Sequence, residues 1–247
     1  MIDVHELAEI YGLPEETVKA ELLESLSRSL TGIFGAEVEV LSSGSGALEI
    51  YRYQDSAGDL RVRSMPLFGV GRRALRQVRR DLTLALAKMR VLRDYDLFRD
   101  LAGNVIEGMV TKAVEHGSLS VRLFADSPYS SGKVIIGSCP YRRQTPKERS
   151  TYRPGDILSF QVLEVSPIME SGMPRLEVIV GRNGRGLVEG LLRKQLRKSL
   201  SGKDLKIKCV KRIAGAYSEV VSSSSLPAQD VKRVSDELKE YIRVARI

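Results

Sequence analysis

The chain has no tryptophan, and only two cysteines and two histidines among its 247 residues. These scarcities exclude several chemistries. Cys139 and Cys209 lie far apart, so they form neither a disulfide framework nor a zinc-binding pattern, and a reducing, cytoplasmic setting is expected. His5 falls in a short acidic helical pattern and His116 in a predicted hairpin turn, "VEHGSL". Neither has a neighbouring Ser or Cys nucleophile or a second metal ligand at useful spacing, so both read as surface histidines. No Asp/Glu cluster suggests metal-dependent hydrolysis. No catalytic residue, metal or cofactor is therefore expected, and the protein reads as a non-enzyme. No apolar run reaches the ~18 residues of a membrane span. The opening "MIDVHELAEIYGL" lacks a basic n-region and an apolar h-region, so no signal peptide is expected.

What is abundant is positive charge. The formal net charge is +8, with 43% hydrophobic and 28% charged residues. That composition describes a soluble globular chain with a polyanionic partner, nucleic acid first and an anionic membrane second. The length suits two or three small domains.

Residues 1 to about 31 predict two helices, the second carrying Val18, Leu22, Leu23, Leu26 and Leu30 at helical spacing. Three alternating segments follow, "AEVEVL", "ALEIYRY" and "LRVRSMPL". A long helix is predicted from Gly71 to about Arg99, with an apolar stripe from Val70 to Leu92. Its other faces carry Arg72, Arg73, Arg76, Arg79 and Arg80, then Lys88, Arg90 and Arg93. Acidic i,i+4 partners are scarce, so this row repels itself and points to a partner rather than to local pairing.

From about 101 to 182 the chain reads as five short strands, with the basic loop "YRRQTPKERSTYRPGD" before the fourth. This suggests a small Greek-key barrel of the OB type. Such barrels bind single strands by stacking bases on aromatics beside cations. Phe124, Tyr129, Tyr141 and Tyr152 are the candidates, and Tyr141 with Arg142 and Arg143 forms the most suggestive cluster. The alternative is that these tyrosines cap the ends of the barrel.

The remainder reads as helix, two strands, helix and strand. Arg193, Lys194, Arg197 and Lys198 share a broad helical face. Lys206 and Lys208 point to one side of the next strand, with Lys211 and Arg212 nearby, while Leu205, Ile207 and Cys209 face the core. Cationic rows of this kind suit contacts to a nucleic-acid backbone.

The stretch "VGRNGRGLVEGLLRK" contains Gly181-x-x-Gly184, the pattern with which KH domains clamp nucleic acid. Here the preceding "PRLEVIV" alternates like a strand, whereas the KH loop follows a helix. The stretch therefore reads as a junction, with Arg182 and Arg185 as candidate RNA contacts at a helix N-terminus.

Several segments, in order, resemble the NusA family of bacterial transcription elongation factors. "LPEETVKAELLESLSRSL" and "FGVGRRALRQVRRDL" resemble its N-terminal domain. "GNVIEGMV" and "YRPGDILSFQVLEVSP" resemble strands of its S1 domain. "LSGKDLKIKCVKRIAGAYSEVV" resembles its first KH module. The final module departs from the family: "SSSSLPAQDVKRVSDELKEYIRVARI" contains no glycine and has room for one clear helix.

The resemblance implies a multidomain α+β protein. Residues 1–100 would be an N-terminal α/β module that binds polymerase, 101–184 a five-stranded OB-type (S1) barrel, and 185–247 a degenerate, truncated type II KH-like module. It implies RNA polymerase and nascent single-stranded RNA as partners of a monomer, with other elongation factors as further candidates and no membrane. The Arg72–Arg80 row would meet polymerase or exiting RNA. The function implied is modulation of elongation, pausing, termination or antitermination. General RNA binding without polymerase, in translation or RNA handling, is the alternative.

Overall fold

Asp3 starts the first helix by accepting the backbone N–H groups of His5 at 2.9 Å and Glu6 at 3.2 Å. This side-chain cap satisfies donors that have no partner within the helix. The structure, a computed structural model, describes residues 3–42, 48–56, 59–66, 71–114, 116–124, 134–199 and 206–246. Helix α1 spans Val4–Tyr11, and α2, Glu15–Phe34, follows Pro14. Strands β1 (Val38–Ser42), β2 (Leu48–Ser56) and β3 (Asp59–Pro66) form an antiparallel sheet in chain order. Helix α3, Arg72–Phe98, matches the long helix expected from the apolar spacing. Its Ala74, Val78, Leu82 and Leu86 join Val18, Leu22, Leu26 and Leu30 of α2 and Val38, Val40 and Ile50 of the sheet in one core.

A second core lies inside a closed barrel. Its strands are β4 (Val105–Lys112), β5 (Leu119–Leu123), β6 (Ile135–Cys139), β7 (Ile157–Glu170) and β8 (Met173–Gly181). They close in the order β4-β5-β6-β8-β7. Strand β4 runs antiparallel to both β5 and β7, and β6 meets β8 in parallel at Ser138 and Ile179. Alternation turns Val110, Val121, Phe160, Val162, Val178 and Val180 inward. The basic β6–β7 connection holds two 3-10 turns, Tyr141–Arg143 and Pro146–Glu148.

The C-terminal module comprises α4 (Arg185–Ser199), β9 (Ile207–Ile213), β10 (Tyr217–Ser222), α5 (Ala228–Leu238) and β11 (Tyr241–Arg246). Its sheet order is β11-β10-β9. Strands β9 and β10 form an antiparallel pair, while β10 and β11 run parallel because α5 carries the chain back. Leu187, Leu191 and Leu196 of α4 pack with Val234 and Leu238 of α5 over Ile207, Cys209, Val220 and Ile242. Helix α4 also lies close to the barrel. A Cβ on Gly190 would press on Val105 of β4, and one on Gly186 on Gln161 of β7. Glycine one turn apart on α4 makes this approach possible.

The chain divides into two compact units, Met1–Asp94 with Ile168–Arg175, and Tyr95–Pro167 with Leu176–Ile247. The second unit contains the barrel, apart from the tip of the β7–β8 hairpin, and the C-terminal module, each with its own core. The architecture is mixed α and β, as the sequence implies. Among the described residues, no helix is long and apolar enough to cross a membrane.

Candidate nucleic-acid interface

The Gly181–Gly184 turn is fixed from two sides by buried arginines. Arg182 is fully buried. Its Nε and Nη2 donate to the two Glu148 carboxylate oxygens at 2.9 and 3.0 Å, and its Nη1 donates to the Ser159 carbonyl at 2.6 Å. Tyr152 adds its hydroxyl to Glu148 at 2.8 Å. Burial alone would raise the Glu148 pKa, but the hydrogen bonds and charge of Arg182, helped by Tyr152 and Thr145, hold it below its ordinary value. Burial likewise pushes the neighbouring Cys139 thiol up to about 12.

The second arginine is Arg212. Its Nη2 and Nε donate to Glu240 Oε1 at 2.7 and 3.0 Å, and its Nη1 donates to the Gly184 carbonyl. The side chains of this pair are 1% and 0% exposed. One Arg–Glu pair thus ties the turn to the barrel loop, and the other ties it to the C-terminal sheet.

Two residues depart from what the sequence implies. Arg182 does not contact RNA at a hinge, because its guanidinium is consumed by Glu148 inside the protein. Arg212 is not on the cationic face of β9 either, because of a register shift. Cys209 pairs with Val220 and Lys211 with Glu219, which leaves Val210 as an extra residue on β9. The bulge reverses the alternation. Ile207 and Cys209 face the core before it, as expected, and Arg212 turns inward after it, while Lys206, Lys208 and Lys211 are exposed.

The locked turn presents other cations outward. The Arg143 carbonyl accepts the Arg182 N–H at 2.8 Å, and Asn183 Nδ2 donates to the Arg142 carbonyl at 2.7 Å. Backbone contacts therefore bring the Tyr141–Arg143 turn against the junction, while the side chains of Arg142, Arg143 and Arg185 remain exposed. Arg185 opens α4, where the helix dipole favours an anion. Tyr141 is half-buried, with the Arg149 guanidinium 4.1 Å from its ring centroid and His116 edge-on at 5.7 Å. Tyr152 is buried and bonded to Glu148, so it belongs to the barrel core, whereas Phe124 is exposed. Tyr129 lies outside the described residues.

The α4 row divides. Lys194 Nζ donates to Glu107 of β4 at 2.7 Å, and Arg193 Nη2 donates to the Ile207 carbonyl at 2.9 Å, so both brace the helix. The Arg197 and Lys198 side chains, and Leu205, lie outside the described residues.

In the first unit, Arg72, Arg73, Arg76, Arg79 and Arg80 are all exposed. Among the described residues none of the five forms an ion pair. The nearest acid on the helix, Asp81, is occupied by Ser29 Oγ at 2.7 Å and Gln77 Nε2 at 2.9 Å. A cleft of about 360 Å³ lined by Ile33, Arg73, Ala74 and Gln77 opens beside this ridge. Arg90 and Arg93 instead serve the fold, donating to the carbonyls of Ile10, Tyr11 and Gly12 at the end of α1.

Sequence reasoning missed Glu148 and Glu240, the acids that withdraw two arginines from the surface. It also missed Tyr217, Tyr241 and Arg243, which lie on the open face of the C-terminal sheet. Among the described residues, no group of three or more His, Cys, Asp or Glu side chains converges as a metal site would require. No known protein-family model matches the chain, and no curated protein matches it significantly.

Proposed function

We propose that this protein is a NusA-like transcription factor that engages RNA polymerase and nascent single-stranded RNA without an enzymatic reaction of its own. The observation that carries the reading is the succession within the second unit. A closed five-stranded barrel of order β4-β5-β6-β8-β7 is followed by α4, β9, β10, α5 and β11. The barrel order fits an OB-type S1 domain. The single helix between β10 and β11 fits a truncated type II KH-like module. This order of barrel and mixed module supports the reading, because the sequence resemblance implies the same succession.

Electrostatics supports the same reading. Arg142, Arg143 and Arg185 are exposed around a rigid turn, and Lys206, Lys208 and Lys211 line one strand. Such cations bind phosphates with little sequence preference. The unpaired arginines of α3 offer a docking ridge for polymerase. The test is transcription in vitro at a defined pause site with purified core polymerase. The protein changes the pause lifetime; an unchanged lifetime at saturating protein would sink the proposal.

The exposed cations of the second unit also favour a second reading, general RNA binding without polymerase. It predicts salt-sensitive RNA affinity and no effect on pausing.

A further inference from the structure

The C-terminal sheet has one covered face and one open face. Ile207, Cys209, Val220 and Ile242 point to the covered side and pack under α4 and α5. On the open side the strand register aligns three rows across β9, β10 and β11. Ile213, Tyr217 and Tyr241 form the first, Lys211, Glu219 and Arg243 the second, and Lys208, Val221 and Ala245 the third. Successive rows lie about 7 Å apart, two residues along a strand.

The first row is aromatic and open. The Tyr217 and Tyr241 rings are stacked within 8° of parallel, with centroids 6.3 Å apart. Tyr241 is 67% exposed and Ile213 56%. Tyr217 is half-buried, so the open part of the row is the Tyr241 ring beside the exposed Ile213, and apolar surface left open in this way points to an interaction site. Tyr217 is held in place because its hydroxyl donates to Glu219. Cations then flank the rings. Lys208, Lys211 and Arg243 are exposed on the same face, where Glu219 is the one acid among the described residues. Glu219 is itself in register with both Lys211 and Arg243, so the face keeps a positive excess. The bulge at Val210 creates this arrangement, because without it Arg212 rather than Lys211 would share the side of Lys208.

Stacked rings with cations one and two rows away are complementary to an unpaired nucleotide strand, whose bases stack and whose phosphates follow. We infer that this open sheet face is a second single-stranded RNA site, with Tyr217 and Tyr241 as the base-stacking platform and Lys208, Lys211 and Arg243 as phosphate contacts. The choice of RNA rests on the proposed function. The site needs no glycine loop, which the module lacks.

The test is fluorescence anisotropy of the full chain with a labelled, unstructured RNA dodecamer. Tyr241→Ala weakens binding about 5- to 100-fold, the loss of one base-stacking contact. Tyr241→Phe, which keeps the ring, stays within about twofold. Ultraviolet crosslinking of wild type to the same RNA carrying 4-thiouridine, mapped by mass spectrometry, marks Tyr217 or Tyr241. That measurement stands even if the alanine variant misfolds. Unchanged affinity of a folded Tyr241→Ala, together with crosslinks elsewhere only, overturns this site and leaves the proposed function in place. Equal affinity for a duplex of the same length also overturns it. A wild type that binds no RNA overturns both.

Discussion

The Arg182 guanidinium meets both carboxylate oxygens of Glu148 in a side-by-side pair, 34 residues apart in sequence and closed off from water. Arg212 and Glu240 repeat the motif on the other side of the same turn. Together they make the boundary between barrel and C-terminal module a fixed joint. The backbone that carries the outward cations Arg142, Arg143 and Arg185 is therefore held in place.

Arg182→Ala leaves Glu148 buried without its partner, and the expected loss of stability is about 3–5 kcal/mol. The pH dependence gives a sharper check. Glu148 is held below its ordinary value of 4.5, so the pair stabilises fully above that value and progressively less as pH falls below it. In the variant, burial raises the Glu148 pKa, and its folded state is then favoured by protonation. The gap between the urea midpoints of wild type and variant should narrow as pH falls from 7 through 4. A constant gap would mean that the pair does not titrate with folding.

The two glycines of α4 predict opposite outcomes. A Cβ on Gly190 would crowd the branched Val105 side chain, whose own Cβ lies 3.1 Å away. Overpacking outweighs the helical gain from alanine, and Gly190→Ala should destabilise by about 1–2 kcal/mol. A Cβ on Gly186 meets the amide end of Gln161, which can swing aside. Gly186→Ala should be neutral or stabilising by up to about 1 kcal/mol. Chemical denaturation of the two variants reads the difference.

Replacing Arg142, Arg143 and Arg185 together with alanine should weaken RNA binding without loss of stability, since all three side chains are exposed. Each lost phosphate contact removes about 0.7 from the slope of log affinity against log salt for a single strand. A titration series across salt concentrations should therefore show a slope about 2 smaller in magnitude. An unchanged slope would take these arginines off the RNA path.

Cys139 and Cys209 are free and buried, and burial raises both thiol pKa values, that of Cys139 to about 12. Iodoacetamide at pH 8 should label neither in the native protein and both in urea. Rapid native labelling would show that the barrel or the C-terminal core opens readily.

Periodicity carried much of the fold. The apolar spacing of α3 and the alternation of Ile207 and Cys209 against Lys206 and Lys208 defined those elements without any partner in view. What it could not carry was pairing across the chain. Arg182 and Arg185 both flank glycines in the same turn, and only Glu148, in a distant loop, separates the buried one from the exposed one. Lys211 and Arg212 are adjacent on one strand. Which of them faces out depends on the extra residue Val210, and strict alternation places it wrongly. Tyr217 and Tyr241 meet only because α5 returns the chain parallel to β10, a register that neither strand contains by itself.

The proposed contact with RNA polymerase is direct, so a pull-down on the tagged full chain from nuclease-treated native lysate should retain core polymerase. Polymerase should stay bound after nuclease and be lost when Arg76, Arg79 and Arg80 of the exposed ridge are replaced by glutamate. Release of polymerase by nuclease, or retention that ignores the three substitutions, would contradict it.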